Sequence, residues 1–223
     1  MITQKILVHG FPHSGTSILR VILGSPSVVE DQIQESLKFK LKTNKPYGVV
    51  KWPYTHKSFF SKEYEDYIKV FIIRNPYFSF SSLNRRYGDK RYALQIPQES
   101  IGAWDITAKL WLTYQKQKLN DVFTVRYEDL FANDFLAIRS IFDEIGILYT
   151  DQVFDTTNSN NMVVPGVKYQ EKIPSPISHA QFRTWQINQS FKNMNDFSTI
   201  DLSNEQYYEL SNLKSVSKLG YQL

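Results

Sequence analysis

The sequence contains no cysteine among its 223 residues. That absence excludes a disulfide framework, thiolate-ligated zinc and thiol nucleophilic catalysis together. It also lacks any apolar run near the ~18 residues that a membrane-spanning helix needs. Met1-Ile2-Thr3-Gln4-Lys5 leads straight into a short strand rather than a signal peptide. The chain therefore reads as soluble and cytoplasmic, with no membrane span. No run of five or more basic residues appears, and 26 of them against 22 acidic ones leave a net charge of +4. That excess suits a small polyanion and is too scattered for nucleic acid. The four histidines (His9, His13, His56 and His179) show no metal-ligand spacing, so no metal is expected. Repeats, low-complexity tracts and linkers are absent, and the length suffices for one buried core. Residues 1–223 read as a single domain.

What is present is organised around one stretch, Ile6-Leu7-Val8-His9-Gly10-Phe11-Pro12-His13-Ser14-Gly15-Thr16-Ser17. An apolar run ends in a Gly/Pro/Ser/Gly turn. Ile18, Leu19, Ile22 and Leu23 then follow at helical spacing until Gly24 and Pro26 stop them. In a strand–loop–helix unit, loop N–H groups and the positive end of the helix converge on a phosphate or sulfate. Gly10 and Gly15, four residues between them, have the spacing of a phosphate-binding loop. A nucleotide triphosphatase needs lysine at position 16, where this chain has Thr16. ATP or GTP hydrolysis loses its β/γ-phosphate cation, and the hydroxyls of Thr16 and Ser17 remain for a smaller anion.

Residues 27–36 are polar and acidic. Strands are predicted at 47–52, ended by Pro53, at 68–73, and at 122–126. Helices are predicted over 77–87 with Pro76 opening, over 101–119 with Ile101, Trp104, Ala108 and Trp111 on one face, and from about 134 to Gly146. Residues 150–176 are irregular. Ser178 and Ser203 read as N-caps, the second with Gln206 completing a capping box, and the last helix runs toward Leu213. Short apolar strands alternating with helices give an α/β fold, a parallel sheet flanked by helices. Its ligands gather at the carboxyl ends of the strands, where the first loop, Lys51, Arg74 and Tyr127 all lie. Arg74 leaves a buried strand and Ser82 lies eight residues on, which makes a second anion site. Two anion sites on one sheet edge imply a ligand with phosphate at both ends.

These residues carry a resemblance. The loop 11–17 resembles the 5′-phosphosulfate loop of sulfotransferases that use 3′-phosphoadenosine 5′-phosphosulfate (PAPS). Phe71-Ile72-Ile73-Arg74-Asn75-Pro76 with Ser82 resembles their 3′-phosphate element. Tyr127-Glu128-Asp129-Leu130 and Lys218-Leu219-Gly220-Tyr221 are similar to two further segments of that family. The resemblance spans nearly the whole chain and implies the phosphate-loop-like sulfotransferase fold, closest to the tyrosylprotein and glycan branch. It implies that Ser14, Gly15, Thr16 and Ser17 hold the 5′-phosphosulfate through N–H groups and hydroxyls. Arg74 and Ser82 would hold the 3′-phosphate, with Tyr127 near the adenine and Lys172 closing over from a late loop. His13 stands where the family usually has Lys or Arg, and can assist the departing phosphate as a cation or as a neutral N–H donor. Lys51 matches the family lysine that contacts the bridging oxygen.

Sulfuryl transfer is an in-line displacement that needs a base and charge-stabilising donors. The resemblance implies a glutamate shortly after the first helix as that base, as in the tyrosylprotein and many glycan sulfotransferases. Glu35 fits best, then Glu30, then Asp31, with His56 a weaker candidate that resembles the cytosolic branch's histidine in residue type alone. The acceptor is read as a carbohydrate or small hydroxylated metabolite rather than a protein tyrosine, against pocket aromatics such as Trp52, Tyr54, Phe59 and Tyr87. The rival readings are a nucleotide or nucleoside kinase on a related loop fold, and a catalytically silent module that keeps the nucleotide pocket.

Overall fold

The computed structural model describes residues 4–54, 60–87, 97–155, 193 and 195–222. Lys172, His56, Phe59, Ser178 and the Tyr87 side chain lie outside that description. Five strands form one parallel sheet: β1 (Gln4–Gly10), β2 (Val29–Gln32), β3 (Tyr47–Trp52), β4 (Tyr67–Ile73) and β5 (Val122–Arg126), in the order β2-β3-β1-β4-β5. The described helices are α1 (Thr16–Gly24), α2 (Pro76–Tyr87), α3 (Ile101–Gln117), α4 (Leu136–Ile145), α5 (Asn204–Ser211) and α6 (Lys214–Lys218).

Central β1 is apolar at consecutive positions because both its faces are covered. Ile6 and Val8 pack with Leu19, Ile22 and Leu23 of α1 and with Ile138, Ile141 and Phe142 of α4. On the opposite face, Phe71 and Ile73 of β4 pack with Phe80 of α2 and with Trp104 and Trp111 of α3. The indole N–H of Trp111 donates to the Phe71 carbonyl at 3.0 Å, and that of Trp104 to the Arg74 carbonyl at 3.3 Å. α3 is thereby fixed along β4, with its N-terminus at the carboxyl edge of the sheet.

Within the acidic stretch the structure forms an edge strand, β2, that periodicity does not suggest. Val29 and Gln32 are buried, and Asp31 is held from α1 by Arg20, whose Nη1 donates to Oδ1 at 2.8 Å and to Oδ2 at 2.9 Å. α4 begins two residues later than expected, because Asn133, Asp134 and Phe135 are all left-handed. The Ser203–Gln206 capping box forms as read, and the segment behind it is two short helices, broken at Asn212 and Leu213.

His9 makes a testable contribution to stability. It is fully buried, stacked on Phe71 at 4.2 Å with Phe60 edge-on at 5.6 Å. Burial, assisted by the Lys69 charge, lowers its pKa to about 3. Between an unfolded value of about 6.5 and that folded value, the unfolded chain binds the proton and the folded chain does not. Stability therefore falls as pH is lowered through this window. Urea denaturation of His9→Phe should show the pH 7-to-5 loss reduced by about 2 kcal/mol relative to the parent chain. Parallel losses in the two proteins would contradict the assignment.

Candidate active site

The loop after β1 is shaped by two left-handed residues, His13 (φ 62°) and Gly15 (φ 89°). The Ser14 N–H donates to the Phe11 carbonyl at 3.1 Å, so it closes the turn, and what Ser14 presents is its hydroxyl. That Oγ is fully buried with no hydrogen-bond partner among the described residues. Gly15 caps α1 without a side chain, and the first intrahelical bond runs from the Leu19 N–H to the Gly15 carbonyl. The N–H groups of Thr16, Ser17 and Ile18 thus have no acceptor within the helix. A buried hydroxyl and a bare helix N-terminus in one loop fit a tetrahedral oxyanion.

Gly15 is required twice over. Its φ lies where side chains are strained, and a Cβ there would sit 2.4 Å from Cδ2 of Tyr127. Gly15→Ala should cost about 2–4 kcal/mol of stability by urea denaturation. Stability equal to the parent chain would show that the loop does not depend on this contact.

Lys51 is the next-to-last residue of β3, with its side chain buried. Its Nζ donates to Ser17 Oγ at 2.7 Å and pairs with Glu35 Oε1 at 2.8 Å. The Ser36 N–H donates to the Lys51 carbonyl at 3.0 Å, and this extends the β2–β3 contact far enough to set Glu35 beside Lys51. Glu30 instead accepts from Thr43 at 3.1 Å and pairs with Lys45 at 3.5 Å, and Asp31 is committed to Arg20. Of the three acidic candidates, only Glu35 is in contact with the lysine among the described residues.

On the other side of the loop, Arg74 leaves β4 and is buried. Its Nη1 donates to the His13 carbonyl at 3.0 Å, and its Nε to Asn195 Oδ1 at 2.8 Å. The guanidinium lies over the Tyr127 ring at 4.2 Å. Burial lowers its pKa from the ordinary value, with Tyr127 and Glu128 opposing. His13 Nδ1 and Ser82 Oγ are 2.7 Å apart, so His13 joins the loop to both 3′-side candidates. Tyr127 is buried beneath Gly15 and Arg74, as a floor to the two candidate anion positions rather than an open stacking face.

Sequence reasoning did not single out Asn195, nor assign any role to Glu128 or Tyr221. Glu128 accepts from the Asn75 N–H and from Asn195 Nδ2, both at 2.9 Å, and from the Tyr221 hydroxyl at 3.2 Å. Two quoted segments contain Glu128 and Tyr221, but nothing local indicates that they meet across 93 positions. No group of three or more metal-ligating side chains occurs among the described residues. No described helix is long and apolar enough to cross a membrane.

No protein-family model matches the chain, and no curated protein matches it by sequence. Solved structures do. The crystal structure of mouse sulfotransferase SULT7A1 complexed with PAP matches with a TM-score of 0.54 at 13% identity, over 97% of this chain and 86% of that one. The sulfotransferase domain from the curacin biosynthetic pathway matches at 0.53 and 13% identity, over 100% of this chain and 99% of its own. The sulfotransferase domain from the Synechococcus PCC 7002 olefin synthase matches at 0.54 and 14% identity, over 100% and 96%. At such identities the likeness is one of architecture. The chain has the sulfotransferase fold.

Proposed function

We propose that residues 1–223 act as one sulfotransferase domain that moves the sulfuryl group of PAPS to a hydroxyl acceptor. The observation that carries this reading is the Ser17–Lys51–Glu35 chain, which sets a cation and a carboxylate beside the bare N-terminus of α1. The mouse neighbour is complexed with PAP, and a ligand of that kind suits the two anion positions joined through His13 and Arg74. The N–H groups of Thr16, Ser17 and Ile18, with the hydroxyls of Ser14, Thr16 and Ser17, would hold the 5′-phosphosulfate. Arg74 and Ser82 would hold the 3′-phosphate, assisted by Lys172. When bound, PAPS supplies the sulfuryl group and its bisphosphate half is the leaving group.

The chain's own residues supply the rest. Lys51 stabilises charge that develops next to Ser17, in a buried setting where a fixed cation acts strongly. Glu35, paired with Lys51 at 2.8 Å, takes the proton of the acceptor hydroxyl. His13 braces the loop against Ser82 and adds a positive charge when protonated. Trp52 and Tyr54, in edge contact at 5.7 Å where β3 ends, offer aromatic faces to a carbohydrate or small hydroxylated metabolite. The enzyme would work in solution, in the cytoplasm, with no metal.

Incubation with PAPS and pooled hydroxylated acceptors tests this, read as acceptor-dependent release of the 3′,5′-bisphosphate. Release that is lost in Glu35→Gln supports it. Tight bisphosphate binding without turnover on any pool would favour the silent nucleotide-binding module.

A further inference from the structure

Behind Arg74 stands a hydrogen-bonded group that the proposed chemistry does not use. Glu128 lies just past β5, in the turn that follows Arg126. One of its oxygens accepts from the Asn75 N–H, adjoining Arg74, and from Asn195 Nδ2. Asn195 then turns its own Oδ1 to Arg74 Nε. The other Glu128 oxygen accepts from Tyr221. Each polar atom in this chain has a definite donor or acceptor role. The amide of Asn195 can serve both neighbours only in one orientation, with nitrogen to the carboxylate and oxygen to the guanidinium.

From this geometry we infer that Glu128, acting through Asn195 and braced by Tyr221, is a positioning residue that aims Arg74 at the 3′-phosphate and so sets the preference for a 3′,5′-bisphosphate over a 5′-monophosphate. The inference rests on the proposed function and adds the residues that determine its nucleotide specificity. The physical reason is directional. Arg74 has its Nε fixed by Asn195 and one Nη1 bond fixed by the His13 carbonyl, and with both edges held the guanidinium plane has one orientation. The aromatic floor of Tyr127 holds it from below. Burial beside the Glu128 carboxylate pushes the Tyr221 hydroxyl well above its ordinary pKa, so it remains a donor across the working range. Arg126, whose guanidinium lies 5.3 Å from the Tyr221 ring centre, adds a cation on that side.

The test is calorimetric titration of the full chain with 3′,5′-adenosine bisphosphate and with 5′-AMP, on the parent chain and on Glu128→Gln, Asn195→Ala and Tyr221→Phe. The quantity read is the ratio of the two dissociation constants, because general loosening weakens both ligands alike. Glu128→Gln retains the size and one acceptor oxygen but presents an amide to one set of donors. It should cut the ratio about tenfold, with 5′-AMP affinity changed less than about threefold. Asn195→Ala should do the same, and Tyr221→Phe, the mildest change, should reduce it about threefold. An unchanged ratio in Glu128→Gln and Asn195→Ala, with the parent chain still preferring the bisphosphate, would overturn the relay alone. Equal weakening of both ligands would reduce Glu128 to a structural role and overturn it too. A parent chain without the preference would remove the 3′-phosphate site, and the relay with it.

Discussion

Lys51→Met is expected to lower kcat by about 10²–10³-fold, the usual loss when one fixed electrostatic donor is removed from a transition state. Methionine keeps most of the stem volume and deletes the charge. Lys51 does two things at once: it lies 2.7 Å from the hydroxyl of Ser17 in the first turn of α1, and it holds Glu35 at 2.8 Å. Its loss removes the cation and the Glu35 ion pair together. In the proposed site the helix N-terminus and Arg74 would hold the bisphosphate, so its dissociation constant should change by no more than about threefold. This split between rate and binding distinguishes a transition-state role from a structural one. A kcat within threefold of the parent chain would remove Lys51 from the chemistry. Glu35→Gln should follow the same pattern and, as the proposed base, should show a loss that depends on acceptor pKa.

The second large effect is on binding. Arg74→Ala should weaken the 3′,5′-bisphosphate by about 100-fold, close to 3 kcal/mol, since it deletes a buried cation able to bond a phosphate through two nitrogens. Affinity for 5′-AMP should fall far less. Arg74→Lys should be intermediate, because it restores charge without the planar fork that reaches Asn195 and the His13 carbonyl. Equal losses for both nucleotides would show that Arg74 serves the loop rather than the ligand.

The sheet was legible wherever burial was complete. β1, β3 and β4 are apolar at successive positions because both faces are covered, and the residues themselves carry that signal. β2 was not legible. Its Glu30-Asp31-Gln32 composition suits a solvated stretch, and what makes it a strand is Arg20 reaching from α1 to satisfy Asp31. That partner is tertiary, and local periodicity cannot contain it. The anion loop was readable in its glycine spacing, yet the turn takes the Ser14 N–H for the Phe11 carbonyl and leaves the hydroxyl facing inward. Among the acidic candidates the sequence offered residue type alone. The Ser36–Lys51 backbone bond decides that Glu35 meets the lysine, and the register of β2 turns Glu30 toward residues 43–45. Nor did the sequence hint that His13 would bond Ser82, 69 positions away, or that Glu128 would gather Asn75, Asn195 and Tyr221. Such polar contacts join segments far apart in the chain. They exist only once the sheet order has brought the exits of β1, β4 and β5 together.

The most direct test of the central claim is a calorimetric titration of the parent chain with three nucleotides: 3′,5′-adenosine bisphosphate, 5′-AMP and magnesium ATP. Tight binding of the bisphosphate and weak binding of the other two are expected, because the loop lacks the lysine for a β/γ-phosphate and Arg74 is the proposed partner of the 3′ one. Preference for magnesium ATP would contradict it and move the chain to phosphoryl chemistry.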